Sequence, residues 1–115
     1  MTMNLGSYGE AIAATYLESK GYKIVEKNFR CKLGEIDIIA SQRDMLVFIE
    51  VKTRSSTAYG LPCEAVNKKK QLHLIRTAAF YLLKNHIGEI DQRMDVVEVL
   101  YREDHVYIRH LENAF

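Results

Sequence analysis

Two short stretches constrain this chain more than anything else in it: Gly34-Glu35-Ile36-Asp37-Ile38-Ile39-Ala40 and Phe48-Ile49-Glu50-Val51-Lys52. Apolar, β-branched residues dominate both, the pattern of β-strands. Between them Ser41-Gln42-Arg43-Asp44 is a polar break suited to a hairpin loop of about four residues. Folded symmetrically, the hairpin sets Ser41 opposite Leu46, Ala40 opposite Val47 and Asp37 opposite Glu50. Directly opposed antiparallel residues have Cβ atoms about 5 Å apart. Two carboxylates in that relation repel unless positive charge lies between them. Glu50 and Lys52, two apart on one strand, project from the same face. The expected result is a cluster of two carboxylates and an ammonium, which suits a hard divalent cation with a water beside it.

The chain has 115 residues, enough for one domain over residues 1–115 with one core. A domain of this size buries roughly 65% of its unfolded surface and folds without covalent staples. Hydrophobic residues at 48% and charged residues at 27% give a soluble globular profile. No apolar run is long enough to span a membrane. Met1-Thr2-Met3-Asn4 has neither the basic nor the apolar part of a secretory signal. Cys31 and Cys63 lack metal-type spacing, so free thiols and a reduced, cytoplasmic setting are expected. A net charge of +1 excludes a polybasic binder, and Lys68-Lys69-Lys70 is the one local basic cluster.

The spacing predicts a helix from about Asn4 to Lys20, closed by Gly21 as a left-handed cap. Gly6 and Gly9 are poor helix formers and mark a close approach to another backbone. A strand over Tyr22–Arg30 and the hairpin over Gly34–Thr53 follow. Arg54–Cys63, with Gly60 and Pro62, reads as a loop. Asn67 caps a second helix reaching His86, with an apolar stripe of Leu72, Ile75, Ala79, Leu82 and Leu83. Met94–Tyr101 reads as a buried strand, Arg102-Glu103-Asp104 as a turn and His105–His110 as an edge strand. The order α-β-β-β-α-β-β implies an α/β fold, a mixed central sheet flanked by two helices. The strand after the second helix can then lie parallel to a hairpin strand.

Asp37 sits among Ile36, Ile38 and Ile39, where an unpartnered carboxylate costs several kcal/mol to bury. Alone it reads as half of an ion pair with Lys52 or Arg54. Glu50 has the same problem, and a single Lys52 neutralises only one of them. Lys52 is either that counter-ion or the group that orients a water and balances charge on a phosphate. Glu10 borders the Gly6, Gly9, Ala13, Leu17 face of the first helix, pointing either inward or to solvent. Glu35 shares the Asp37 face nearer the strand start. Lys68, Lys69 and Lys70 oppose the macrodipole of their helix, a misfit that a phosphate contact or plain solvation would explain. The amide of Gln71 can hold a ligand or water. His73, His86, His105 and His110 lack ligand spacing, and Tyr8, Tyr16, Tyr59, Tyr81 and Tyr107 read as packing residues.

Asp37 followed after a hairpin by Glu50-Val51-Lys52, with Glu10 on a preceding helix, resembles the signature of the PD-(D/E)xK nuclease superfamily. The wider pattern is similar to the YraN family of small bacterial proteins: Gly6-Ser7-Tyr8-Gly9-Glu10-Ala11, Gly21-Tyr22, Asn28-Phe29-Arg30, Gly34-Glu35-Ile36-Asp37, Phe48 through Arg54 and Arg93-Met94-Asp95-Val96-Val97. It covers nearly the whole chain, with Ile36 where the signature has proline. The resemblance implies a restriction-endonuclease-like fold similar to archaeal Holliday-junction resolvases. It implies Mg²⁺ or Mn²⁺ held by Asp37 and Glu50 with support from Glu10, and Lys52 as the catalytic lysine. The expected activity is hydrolysis of phosphodiester bonds, on branched or structured DNA, with Arg54, Lys68, Lys69, Lys70 and Gln71 meeting the nucleic acid and a homodimer supplying two sites. A nucleic-acid-binding module that does not cut, and a metal-free scaffold with a structural charge cluster, demand the same fold.

Overall fold

A computed structural model describes residues 5–55 and 66–115. The element order is α1 (Leu5–Ser19), β1 (Lys23–Cys31), β2 (Gly34–Gln42), β3 (Met45–Ser55), α2 (Lys68–Lys84), β4 (Asp91–Arg102) and β5 (His105–Leu111). This is the α-β-β-β-α-β-β order expected from the sequence, a mixed α/β fold. The five strands form one sheet in the order β1-β2-β3-β4-β5. Neighbours are antiparallel except β3 and β4, which run parallel and are joined through α2. Among the described residues no helix is long and apolar enough to cross a membrane. Asn4 and residues 56–65, with Tyr59, Gly60, Pro62 and Cys63, lie outside the described residues. Arg54 and Ser55 belong to β3, so the strand outlasts the expected hairpin boundary.

Cap chemistry sets the helix ends. Gly21 takes φ 91°, and the Tyr22 amide returns to the Leu17 carbonyl at 3.0 Å, closing α1 in a left-handed turn. Asn67 Oδ1 accepts the Lys70 amide at 2.9 Å and starts α2. The hairpin turn is tighter than expected. Pairing runs out to Gln42 opposite Met45, leaving only Arg43 and Asp44, with Arg43 at φ 55°. Such a turn follows the right-handed twist of its strands.

The composition suggests one core, but the sheet divides the apolar interior in two. On one face Ala13, Ala14 and Leu17 of α1 pack over Ile38, Ala40, Val47, Ile49, Val97 and Val99. On the other Leu74, Ala78 and Tyr81 of α2 pack over Phe29, Ile36, Ile39, Phe48 and Val96. The close approach expected of the α1 glycines is found at Gly9 alone and is to a side chain rather than a backbone: a Cβ there would collide with the Thr53 side chain, whereas Gly6 is exposed. The stripe expected to bury α2 is a correction. Leu72, Ile75, Ala79 and Leu83 face outward, Leu82 of the expected stripe packs against the core edge, and Leu74, Thr77, Ala78 and Tyr81 face the sheet. α2 is apolar on two sides. The side carrying Tyr81 wins because its ring packs edge-on against Phe29 and Phe48, with centroids 5.1 and 6.1 Å away.

Candidate functional site

The β2–β3 ladder follows the expected register from Gln42–Met45 to Ile38–Ile49 and stops one rung short of Asp37 and Glu50. At that rung the Val51 amide donates to Asp37 Oδ2 at 2.8 Å. A side-chain carboxylate thus takes the place of a strand carbonyl, and the two strands part. The strand's alternation also breaks there, since Ile36 and Ile38, two residues apart, join opposite cores. Across from this point β1 carries Asn28 in a left-handed conformation, φ 54°. The fork opens into a cleft of about 410 Å³, lined by Glu35, Asp37, Glu50, Asn67, Lys69, Lys70 and His73 among others. A larger hollow of about 1020 Å³ lies at the hairpin's turn end and gathers none of the sequence-expected site residues.

Glu50 is buried, and its Oε1 meets two ammonium groups, Lys70 Nζ at 2.9 Å and Lys52 Nζ at 3.7 Å. Burial, then the charge of Glu50, pushes the Asp37 carboxyl up to about 7, against the Val51 hydrogen bond and with smaller contributions from Glu10 and Glu35. Glu10 is also raised, by burial and then by Glu35, with an Asn28 hydrogen bond opposing. Burial, then the neighbouring Lys70 charge, lowers Lys52. Lys70 loses to burial as well, but the hydrogen bond and charge of Glu50 outweigh that loss and raise it. Four carboxylates (Glu10, Glu35, Asp37 and Glu50) therefore influence one another around the fork. Among the described residues no three His, Cys, Asp or Glu side chains form a ready-made metal cage. The donor set is a carboxylate pair. Magnesium commonly binds one or two carboxylates and fills the rest of its shell with water and phosphate oxygens.

The other sequence-derived candidates divide. Lys69 lines the cleft, while Lys68 is exposed at the start of α2. Gln71 Nε2 donates to the Val66 carbonyl at 3.0 Å, so its amide braces the entry to α2. Arg54 Nε lies 3.0 Å from Glu98 Oε2, a buried carboxylate of β4 that Arg109 also holds at 2.9 Å. Glu35 pairs with Arg30 at 3.1 Å near the surface. Lys70 answers the helix-dipole misfit, because its side chain serves Glu50.

Sequence patterning assigns no role to Asp95, a fully buried charge on the α1 side of the sheet. Its oxygens accept from Arg93 Nε at 2.8 Å, Arg93 Nη2 at 2.9 Å and the Asn113 amide at 2.9 Å, with His110 Nε2 at 2.7 Å. Burial works to raise its carboxyl, but His110, Arg93 and Asn113 together hold it below the usual range. Arg93 also donates to the Tyr22 hydroxyl at 2.6 Å, and Tyr16 meets His110 Nδ1 at 3.2 Å. The available signal is Arg93 two residues before Asp95, at the start of the apolar run Val96-Val97. Asp95 is fully supplied with partners, whereas Asp37 has one backbone donor and acidic neighbours.

The family model described as "Uncharacterised protein family UPF0102" matches residues 9–99, a span that contains every residue of the cleft named above. A UPF0102 protein of Alkaliphilus oremlandii is 53% identical over 117 residues, covering 100% of both chains. One of Clostridium acetobutylicum is 47% identical over 112 residues, covering 96% of this chain and 92% of its own. One of Clostridioides difficile is 48% identical over 110 residues, covering 96% and 95%. The chain belongs to the UPF0102 family.

Proposed function

We propose that this protein is a divalent-cation-dependent nuclease of the PD-(D/E)xK kind that hydrolyses phosphodiester bonds in DNA. The observation that carries the reading is the fork itself: Asp37, Glu50, Lys52 and Lys70 meet where one hairpin opens. Asp37 and Glu50 would hold Mg²⁺ or Mn²⁺, with Glu10 behind them. A divalent ion there supplies positive charge against the phosphate oxygens. Lys52 orients the attacking water and faces the charge that develops on the phosphate. Its lowered affinity for a proton suits an amine that exchanges protons with water.

Divalent cations should raise the melting temperature of the wild type, and Asp37→Asn should abolish the rise, since a ligand of the native state alone stabilises it. Lys52→Ala should remove cleavage while sparing that thermal effect. A wild-type melting temperature insensitive to Mg²⁺ and Mn²⁺ would sink the metal reading. The two ammonium groups already on Glu50 favour one rival, a cation-independent module that binds nucleic acid without cutting it. A screen of branched and linear substrates with and without Mn²⁺ separates the two.

Lys69 at the cleft and the exposed Lys68 beside it at the start of α2 suit phosphate contacts. Binding should weaken with salt at a slope of roughly −0.9 per neutralised phosphate on duplex DNA. Changing both to Ala should flatten the slope and leave the fold intact. The outward stripe of Leu72, Ile75 and Leu83 offers a face for a second copy and a second site. Sedimentation of Ile75→Glu beside wild type tests it, and a wild type that is monomeric at every concentration rejects it.

A further inference from the structure

We propose that Lys70 is the resident counter-ion of Glu50 and that a divalent cation enters the site by exchanging with it. The inference rests on the reading that Asp37 and Glu50 hold the cation, and adds how the site stands without one. Lys70 and Lys52 address the same oxygen, Glu50 Oε1, but Lys70 is the nearer at 2.9 Å against 3.7 Å. The Glu50 side chain is only 7% exposed, and a carboxylate so buried needs a cation at all times. Lys70 reaches it from the solvent side, with 43% of its own side chain exposed, and lines the cleft. Its backbone is fixed by the Asn67 cap. Its charge sits at the end of a flexible four-carbon stem, so the ammonium can withdraw while α2 stays in place.

A divalent ion and an ammonium cannot share one carboxylate oxygen without strong repulsion in a partly buried site. Entry of the ion therefore releases Lys70 into the mouth of the cleft. There it is free to meet a phosphate. The linkage is reciprocal: an anionic substrate that draws Lys70 away tightens the hold on the cation by the same factor.

The test is calorimetric titration of Mn²⁺ into wild type, Lys70→Met, Lys52→Met and Asp37→Asn at constant ionic strength. Lys70→Met should bind Mn²⁺ about five-fold tighter than wild type, the scale of one partly exposed ion pair, and Lys52→Met should gain less. In the wild type, labelling of Lys70 by acetic anhydride, read by mass spectrometry, should rise relative to Lys69 when Mn²⁺ saturates the site. If Asp37→Asn abolishes Mn²⁺ binding but Lys70→Met binds no tighter than wild type, the exchange is wrong and the metal site stands. If wild type and Lys70→Met both fail to bind Mn²⁺, both ideas fall. Should Lys70→Met not fold, the labelling decides, and unchanged Lys70 labelling at saturation overturns the exchange.

Discussion

Asp37 and Asp95 show how one residue type serves opposite ends within one sheet. Asp95 has its charge matched by Arg93, His110 and the Asn113 amide, so its ionised form stabilises the fold. Asp37 has its ionised form opposed by burial and by Glu50. The folded-state value of about 7 for Asp37 stands above the ordinary 3.8, so folding favours its protonated form. Its contribution is fully present below the ordinary value and is lost as pH rises through about 7. Each tenfold change in proton affinity is worth about 1.4 kcal/mol, which makes the effect on the order of 4 kcal/mol before relaxation. The metal-free Asp37→Asn variant should therefore be more stable than wild type to urea at pH 8, with the gap closing toward pH 5. A variant less stable than wild type at pH 8 would mean that Asp37 is charged and well paired. For Asp95 the depressed value reverses the sign: its stabilisation is present above the ordinary carboxylate range and fades as pH falls through the folded value. Asp95→Asn should cost about 3 kcal/mol in urea unfolding, because it removes the buried charge facing Arg93 and leaves that guanidinium only the exposed Glu112 carboxylate and the Tyr22 hydroxyl. Equal and small effects at both positions would contradict the contrast.

At the scale of elements, α1 is seated by a missing side chain. A Cβ on Gly9 would strike the Thr53 side chain of β3. Alanine is ordinarily the better helix former by about 1 kcal/mol. Gly9→Ala should instead destabilise by about 1–3 kcal/mol, as overpacking does, and Thr53→Ala should restore most of the loss. Additive losses in that double-mutant cycle would show that the contact is not what Gly9 protects. The strands were legible because period two and turn chemistry act locally, and the register near Ala40–Val47 followed from the polar break alone. The same arithmetic carried Asp37 to Glu50 but missed the fork, since a side chain standing in for a carbonyl leaves no trace in hydrophobic patterning. The rotation of α2 was not legible either. Leu72, Ile75 and Leu83 are as apolar as the face that is buried, and only contact with Phe29 and Phe48 selects Tyr81. Lys70 stood out by its position against the helix dipole, but its partner comes from another element. Asp95 was hidden for the same reason, as its partners His110 and Asn113 belong to the far end of the chain.

Seen whole, the molecule joins a contact made within one hairpin to contacts that span most of the chain. Asp37 and Val51, 14 positions apart, meet within a single hairpin. Tyr22 and Arg93 are 71 apart, and Tyr16 and His110 are 94 apart, yet both pairs belong to the Asp95 network. Hairpins close in about 1–10 μs, long before distant segments of a mixed sheet find one another. The hairpin bearing Asp37 and Glu50 can therefore form while the final strand is still loose, and the Asp95 network is expected to close last, as a clasp. A clasp fastened after the rate-limiting step governs departure rather than arrival. His110→Ala should speed unfolding by the full loss of stability and leave the refolding rate within about two-fold of wild type in stopped-flow measurements. A slowed refolding limb would place the clasp inside the nucleus. With the clasp intact, the lifetime of the folded state is set on the face of the sheet turned away from Glu50 and α2, so the charged cleft can be remodelled without shortening it.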